Sequence, residues 1–193
     1  MVEHKMIYNP NNFYDLDLNY TMFTTFLNHL SMFIRVGVNP LQRNDVFEPR
    51  VANRIYRSPE NWNSSIYLSS DYRKKLAIDF QAGTTQFIKS SFYSNYLSLK
   101  PRIRINDKIL LIYTYEISFD HNAGYVSNTV DDVYFGSRHR QTINNTLNLD
   151  YIFTKNSGLS FRLRHYWSMV EYDQFFMLND EGYLDNFIGY SEN

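Results

Sequence analysis

The sequence predicts an all-β chain of antiparallel strands, and three observations carry the prediction. Aromatic residues make up 18% of the 193 residues, with Tyr 17, Phe 15 and Trp 2. The strong helix formers are scarce, at 4 Ala, 7 Lys and 7 Glu against 21 Asn, while aromatic residues favour strands. Long stretches alternate apolar and polar residues with a period of two, the spacing that sends successive side chains to opposite faces of a strand. A chain this aromatic would bury too much surface to remain solvated and disordered.

Composition also excludes several classes. Lys+Arg 19 against Asp+Glu 20 leaves a formal net charge of -1, so no global basic field draws the chain to nucleic acid. The absence of Cys excludes a disulfide framework, Cys-ligated zinc and thiol catalysis. The longest apolar run, Ile109-Leu110-Leu111-Ile112-Tyr113, is far short of the roughly 20 residues of a membrane helix. Residues 1–20 lack the apolar stretch of a secretory signal,.

Taken in order, residues 1–18 read as a poorly ordered or loop segment and residues 19–193 as a β-barrel segment. Strands are predicted at 19–27, 30–38, 61–69 and 74–83, the last with Leu76, Ile78 and Phe80 on one face. Four longer strands follow. Residues 90–104 set Leu97, Leu99, Pro101 and Ile103 against Ser98, Lys100, Arg102 and Arg104. Residues 108–120 set Ile109, Leu111, Tyr113, Tyr115, Ile117 and Phe119 against Leu110, Ile112, Thr114, Glu116, Ser118 and Asp120. Residues 141–154 alternate Leu147, Leu149, Tyr151 and Phe153 with Thr146, Asn148, Asp150 and Ile152. Residues 158–172 place Leu159, Phe161 and Leu163 opposite Ser160, Arg162 and Arg164. Pro101 cannot donate to a ladder, so a bulge or local edge is expected there.

The connections fall into two alternating classes. Asn28-His29, 70–73, Ile105-Asn106-Asp107 and Lys155-Asn156-Ser157 are tight turns, whereas 39–60, 84–89, 121–140 and 173 onward are longer,. Short connections at one end and long ones at the other are the pattern of an outer-membrane barrel. The longest strands run about 13 to 15 residues, enough to cross a tilted bilayer and beyond the globular mode of ~5–6. Aromatics gather near their predicted ends, where membrane girdles sit: Phe92, Tyr93, Tyr151, Phe153, Tyr166, Trp167 and Tyr172,. The fold class expected is therefore an antiparallel up-and-down transmembrane β-barrel, about eight strands seen, forming part of a larger barrel. Turning the same sheet inside out gives the alternative, a soluble lipocalin-like barrel that binds a small hydrophobic ligand.

Candidate sites follow from the polar faces and the long loops. Lys100, Arg102, Arg104, Arg162 and Arg164 would line a charged lumen that attracts anions, or pair with Glu116, Asp120 and Asp150 to satisfy its wall. Loop candidates are Glu48, Arg50, Arg54 and Arg57 in the first long connection, and Asp131, Asp132 and Arg138 in the third. Asp131-Asp132 lacks the spaced ligand set of a calcium site, so no metal and no cofactor are expected. His165 and Ser168 are three apart on one strand and face opposite sides, while His121 or His139 could meet a loop Ser without any spacing that requires it. No HExxH, Walker A or GxSxG pattern occurs,. Glu171, Asp173, Asp180 and Glu181 read as a solvated acidic loop sooner than as glycosidase carboxylates. Enzymatic activity is thus not expected of this segment, though an outer-membrane hydrolase acting through loop residues is a further alternative. Trp62, Tyr125, Tyr134 and Phe175 are candidate platforms for sugar rings.

A family resemblance rests on specific segments. Residues 161–187, FRLRHYWSMVEYDQFFMLNDEGYLDNF, resemble a stretch of the β-barrel region named domain of unknown function 5916. Phe47-Glu48-Pro49-Arg50, followed by Arg54, Arg57, Pro59 and Ser70-Asp71-Tyr72-Arg73-Lys74-Lys75, is similar to a second stretch of it. Phe135-Gly136-Ser137-Arg138 followed by Tyr151-Ile152-Phe153 is similar to a third. The resemblance implies a barrel of the Gram-negative outer membrane, whose members carry an amino-terminal carbohydrate-binding module of family 9 type and a secretion signal. Neither is seen here, and Phe187-Ile188-Gly189-Tyr190 reads as the start of another strand, so a fragment of a larger protein is expected. The expected role is transport, anchoring or surface display, linked to carbohydrate binding or uptake. The expected partners are outer-membrane lipid, a saccharide ligand and the outer-membrane assembly machinery.

Overall fold

The computed structural model describes residues 1–7 and 12–187. In chain order its strands are β1 (Val2–Ile7), β2 (Asn12–Thr25), β3 (Ser31–Asn39), β4 (Arg43–Asp45), β5 (Tyr56–Ser58), β6 (Asn61–Ser69), β7 (Leu76–Phe87), β8 (Tyr93–Asn106), β9 (Ile109–Asn128), β10 (Val133–Thr154), β11 (Ser157–Leu178) and β12 (Leu184–Asn186). Ten of them form one antiparallel sheet in the order β1-β2-β3-β6-β7-β8-β9-β10-β11-β12, and β4-β5 make a separate two-stranded ribbon inside the β3–β6 connection. Among the described residues there is no helix, and no ladder joins β1 to β12. Among the described residues the sheet is open and no closed barrel is found, and the all-β antiparallel class expected from the sequence is present.

Register accounts for the two faces. Lys100 pairs with Asp79, Ser98 with Glu116, Glu116 with Asn144 and Asn148 with Arg162, so the polar sets of neighbouring strands fall on one face. Leu99 pairs with Tyr115, Ile117 with Ile143, Leu147 with Leu163 and Leu149 with Phe161, which gathers the apolar sets on the other. The period-two reading of these strands was sound because every cross-strand pair shares a face.

Four expectations are corrected. Residues 2–7 and 12–18 are strand and not loop, paired from Val2↔Leu18 to Ile7↔Asn12. Interleaved charges such as Glu3 and Lys5 hide the alternation, yet they suit an edge strand, where they discourage further pairing. The predicted loop 121–140 is mostly strand, because β9 runs to Asn128 and β10 starts at Val133. Only a turn at 129–132 remains, in which Thr129 N–H donates to the Asp132 carbonyl at 2.9 Å. Likewise β11 continues past residue 173 to Leu178, which leaves Tyr166 and Trp167 mid-strand and not near the strand end expected of them. The bulge expected at Pro101 lies instead between Arg104 and Asn106, although Lys100 and Pro101 do lack partners on β9. Residues 188–190, read as a further strand, lie outside the described residues.

The small buried core sits where the β3–β6 connection folds onto the extended ends of β9, β10 and β11. Tyr56, Ala123, Val133, Phe135 and Leu178 form it, with Val51, Phe92, Tyr125, Phe176 and Leu184 packed around them. The long apolar face elsewhere has no such cover, and Leu97, Leu99, Ile103, Phe119, Phe161 and Leu163 remain exposed.

Candidate functional site

Two regions gather polar side chains: a hollow in the polar face and a cluster at the upper ends of β9, β10 and β11. The hollow measures about 470 Å³ and is lined from Tyr67 on β6, through Asp79, Lys100 and Glu116, to Asn144 and Arg162. Strands lie ≈ 4.8 Å apart, so side chains from β6 and β11 line one hollow only if the sheet curls toward its polar face. Concavity therefore falls on the charged side and convexity on the apolar side.

The predicted lumen residues all lie on the concave side, but the predicted carboxylate pairing is not how they are held. Among the described residues no ion pair joins Lys100, Arg102, Arg104, Arg162 or Arg164 to a carboxylate. Arg164 Nε donates to Asn144 Oδ1 at 2.8 Å, and Arg102 lies over the Tyr72 ring at 5.2 Å. Glu116 accepts from Asn144 at 2.5 Å and Asp150 from Ser160 at 2.6 Å. Arg104 and Asp150 line a second recess nearer the β8–β9 turn. Asp120 is the exception, taking a 2.9 Å ion pair from Arg140 and a hydrogen bond from Ser94.

The loop candidates hold the β3–β6 connection to the strand ends. Glu48 Oε1 accepts from Tyr125 N–H at 3.0 Å, and Arg50 stacks on the same Tyr125 ring at 4.9 Å. Arg54 donates to the Leu178 carbonyl and bridges to Asp180 at 2.5 Å. Arg57 covers the Tyr183 ring at 5.3 Å. Arg138 donates to Asn122 at 2.8 Å. Asp132 accepts distantly from Tyr134 at 3.4 Å, while Asp131 is exposed at the turn. The four acidic residues 171, 173, 180 and 181 do not act as one patch, because Asp180 goes to Arg54 and Asp173 goes to His139.

The second cluster is where the sequence reading stopped short. His121 on β9 and His139 on β10 are direct cross-strand partners. Their rings stack at 4.0 Å between centroids with 17° between planes. On β11, Ser137 pairs with Gln174 but Arg138 pairs with Tyr172, so Asp173 is the extra residue of a bulge. Bulges re-aim side chains, and this one turns Asp173 Oδ2 to 3.3 Å from His139 Nε2 and 4.0 Å from His121 Nε2. His121 Nε2 also lies 2.8 Å from Ser137 Oγ, and its Nδ1 lies 3.0 Å from the Ser91 carbonyl. A carbonyl only accepts, so Nδ1 carries a proton, and Nε2 is the ring nitrogen that faces Ser137 Oγ and Asp173 Oδ2. Burial pushes the Asp173 carboxyl up, but hydrogen bonds from Ser137 and His139 outweigh it and hold the group below its ordinary value. A pocket of about 450 Å³ opens beside the cluster, with Tyr56, Arg57 and Phe92 in its wall.

His165 and Ser168 do face opposite sides, bonded to Asn145 and Thr142 respectively. The encounter of His121 with a Ser, which no spacing required, does occur with Ser137.

Comparison with known families identifies the chain at this point, because the family model described as Domain of unknown function (DUF5916) matches residues 1–193. The chain belongs to the DUF5916 family. No curated protein and no solved structure matches it. The DUF5916 match spans all three segments on which the resemblance was drawn, and it takes in residues 2–7 and 12–18, which belong to strands β1 and β2.

Proposed function

We propose that this DUF5916 chain is part of the wall of a Gram-negative outer-membrane β-barrel, a transport module whose charged hollow passes or holds small anionic solutes. The observation that carries the reading is the inside-out distribution of polarity: charged side chains face the hollow while large apolar ones stay exposed on the convex side. Leu163 is 56% exposed and Leu99 40% exposed. A contiguous apolar face of this extent is an interaction surface and not an ordinary solvated one. Lipid suits it, because the ladders from β1 to β11 pair most of the backbone groups within the sheet,. The hollow favours anions, since Lys100 and Arg162 in its wall and Arg102, Arg104 and Arg164 on the same face outnumber Asp79, Glu116 and Asp150, and among the described residues none of these cations is tied up in an ion pair,. The family resemblance supports a carbohydrate connection, and acidic saccharides are the class that fits both observations. The lipocalin-like alternative wants an apolar hollow and draws no support from Asp79, Lys100, Glu116 and Arg162.

The test is refolding of the full chain with and without detergent micelles, followed by gel mobility of heated and unheated samples. Heat-modifiable migration, with β-type circular dichroism only in detergent, is the expected result. A monodisperse folded chain in plain buffer would overturn the reading.

A further inference from the structure

We infer that His121, His139 and Asp173 form a binding site for one divalent transition-metal ion, zinc foremost. The three groups come from three adjacent strands and offer ligand atoms that all lie within 4.8 Å of one another. Zinc binds His nitrogen and carboxylate oxygen at ≈ 2.0–2.2 Å, so donors sharing one tetrahedral ion stand roughly 3.4 Å apart. The observed separations of 3.3 Å and 4.0 Å from Asp173 Oδ2 to the two Nε2 atoms are near that spacing, and one imidazole must turn out of the stacked pair for both Nε2 atoms to face a single ion.

The surroundings are those of a ligand set. His121 is buried and its Nδ1–H is fixed on the Ser91 carbonyl at 3.0 Å, the kind of outer bond that sets tautomer and ring orientation for a metal-binding histidine. Its Nε2 lies 2.8 Å from Ser137 Oγ and 4.0 Å from Asp173 Oδ2, on the side where the other two ligands stand. His139 and Asp173 are about half exposed, which leaves an entry path and room for water or a ligand from the adjoining pocket in the open position. Two histidines and one carboxylate, with no thiolate, suit zinc, nickel or ferrous iron and not calcium or magnesium, which prefer oxygen ligands.

A serine nucleophile is the rival chemistry for the same atoms, and the geometry disfavours it. In a triad the acid holds the histidine at Nδ1 while Nε2 serves the serine. Here Asp173 lies on the Nε2 side, Nδ1 meets a backbone carbonyl, and Ser137 is only 4% exposed. Ser137 instead completes the wall behind the site.

This inference is independent of the membrane reading, which gel mobility decides. The test titrates zinc alone into the untagged, chelator-treated full chain, folded in whichever medium supports it, with calorimetry and with cobalt absorption as a second signal. The expected result is one ion per chain, unaffected by excess calcium or magnesium. His139→Gln and Asp173→Asn each weaken binding by at least about tenfold, while His165→Gln, at a distant strand position, leaves it unchanged. Circular dichroism of each variant verifies the fold, and both key substitutions fall at exposed positions. A chelator-treated chain that is folded but takes up no zinc overturns the proposal. So does binding that survives both substitutions, or labelling of Ser137 by a serine-directed fluorophosphonate in place of metal binding.

Discussion

Phe135 on β10 is wholly buried and its ring centroid lies 5.0 Å from that of Tyr56 on β5. That contact pins the β3–β6 connection onto the extended strand ends. Burial is the largest influence on the Tyr56 hydroxyl and raises its pKa well above the ordinary tyrosine value. Phe135→Ala should cost about 3–5 kcal/mol of the local packing energy, as for other large-to-small aromatic changes in a core. Urea unfolding monitored by fluorescence would measure it. A loss below about 1 kcal/mol would mean that the connection is held by its polar contacts alone.

Arg54 is the main polar tie of that same connection. It reaches the Leu178 carbonyl and Asp180 across the chain, and it is substantially buried while Asp180 is exposed. Arg54→Ala should free residues 40–60 and cost about 1–3 kcal/mol, the range for a hydrogen bond to a charged group whose partner is left unmet. Limited proteolysis gives the readout, with new cleavage expected between residues 46 and 55.

The two faces make opposite predictions for the same substitution. Leu163→Arg places a charge on the apolar face and should weaken insertion into bilayers by about 2–4 kcal/mol. Asn148→Arg, on the wall of the hollow, should leave insertion unchanged and strengthen anion preference. Folding yield in vesicles and the reversal potential across a planar bilayer measure the two effects. Equal tolerance of both substitutions would contradict the assignment of faces.

Close approach explains one glycine. A methyl group at Gly83 would stand 2.5 Å from Cε1 of Tyr96, the cross-strand partner whose ring lies across it. Gly83→Ala should therefore displace Tyr96, break its 3.1 Å hydrogen bond with Gln81, and destabilise by about 1–3 kcal/mol. Gly83→Ala combined with Tyr96→Ala should recover the steric part, and thermal melts of both chains would show it.

The Asp173 carboxyl is held below its ordinary value by Ser137 and His139, against the opposing effect of burial. A depressed folded-state value means the unfolded chain binds the proton more tightly. The corresponding stability is fully present above the unfolded carboxyl range of about pH 4 and is lost as pH falls through the lower folded value. Asp173→Asn should remove that acid-side dependence, and denaturant midpoints at pH 3, 4 and 5 would compare the two chains.

The sequence by itself determined the strand content and which side chains share a face, because period two is a property of the extended backbone and needs no neighbour. Residues 61–69 were placed to the residue, and Lys100, Arg102, Glu116, Asp150, Arg162 and Arg164 were assigned to the polar face they occupy. Only the tertiary structure decided which face is concave, since alternation is unchanged when a sheet is turned inside out. It also decided the fate of residues 121–140. There Ala123, Gly124, Ser137 and their neighbours pack beneath the β3–β6 connection, so neither face keeps a clean apolar stripe and the strands look like loop. The His121–His139 pair was hidden by that same loss of pattern. Extending the two strands from a turn at 129–132 alone would set His121 opposite Arg140, and only the bulge between Tyr134 and Phe135 shifts the register so that the histidines meet. Nothing local in the sequence could have added Asp173, because its place depends on a bulge in a third strand.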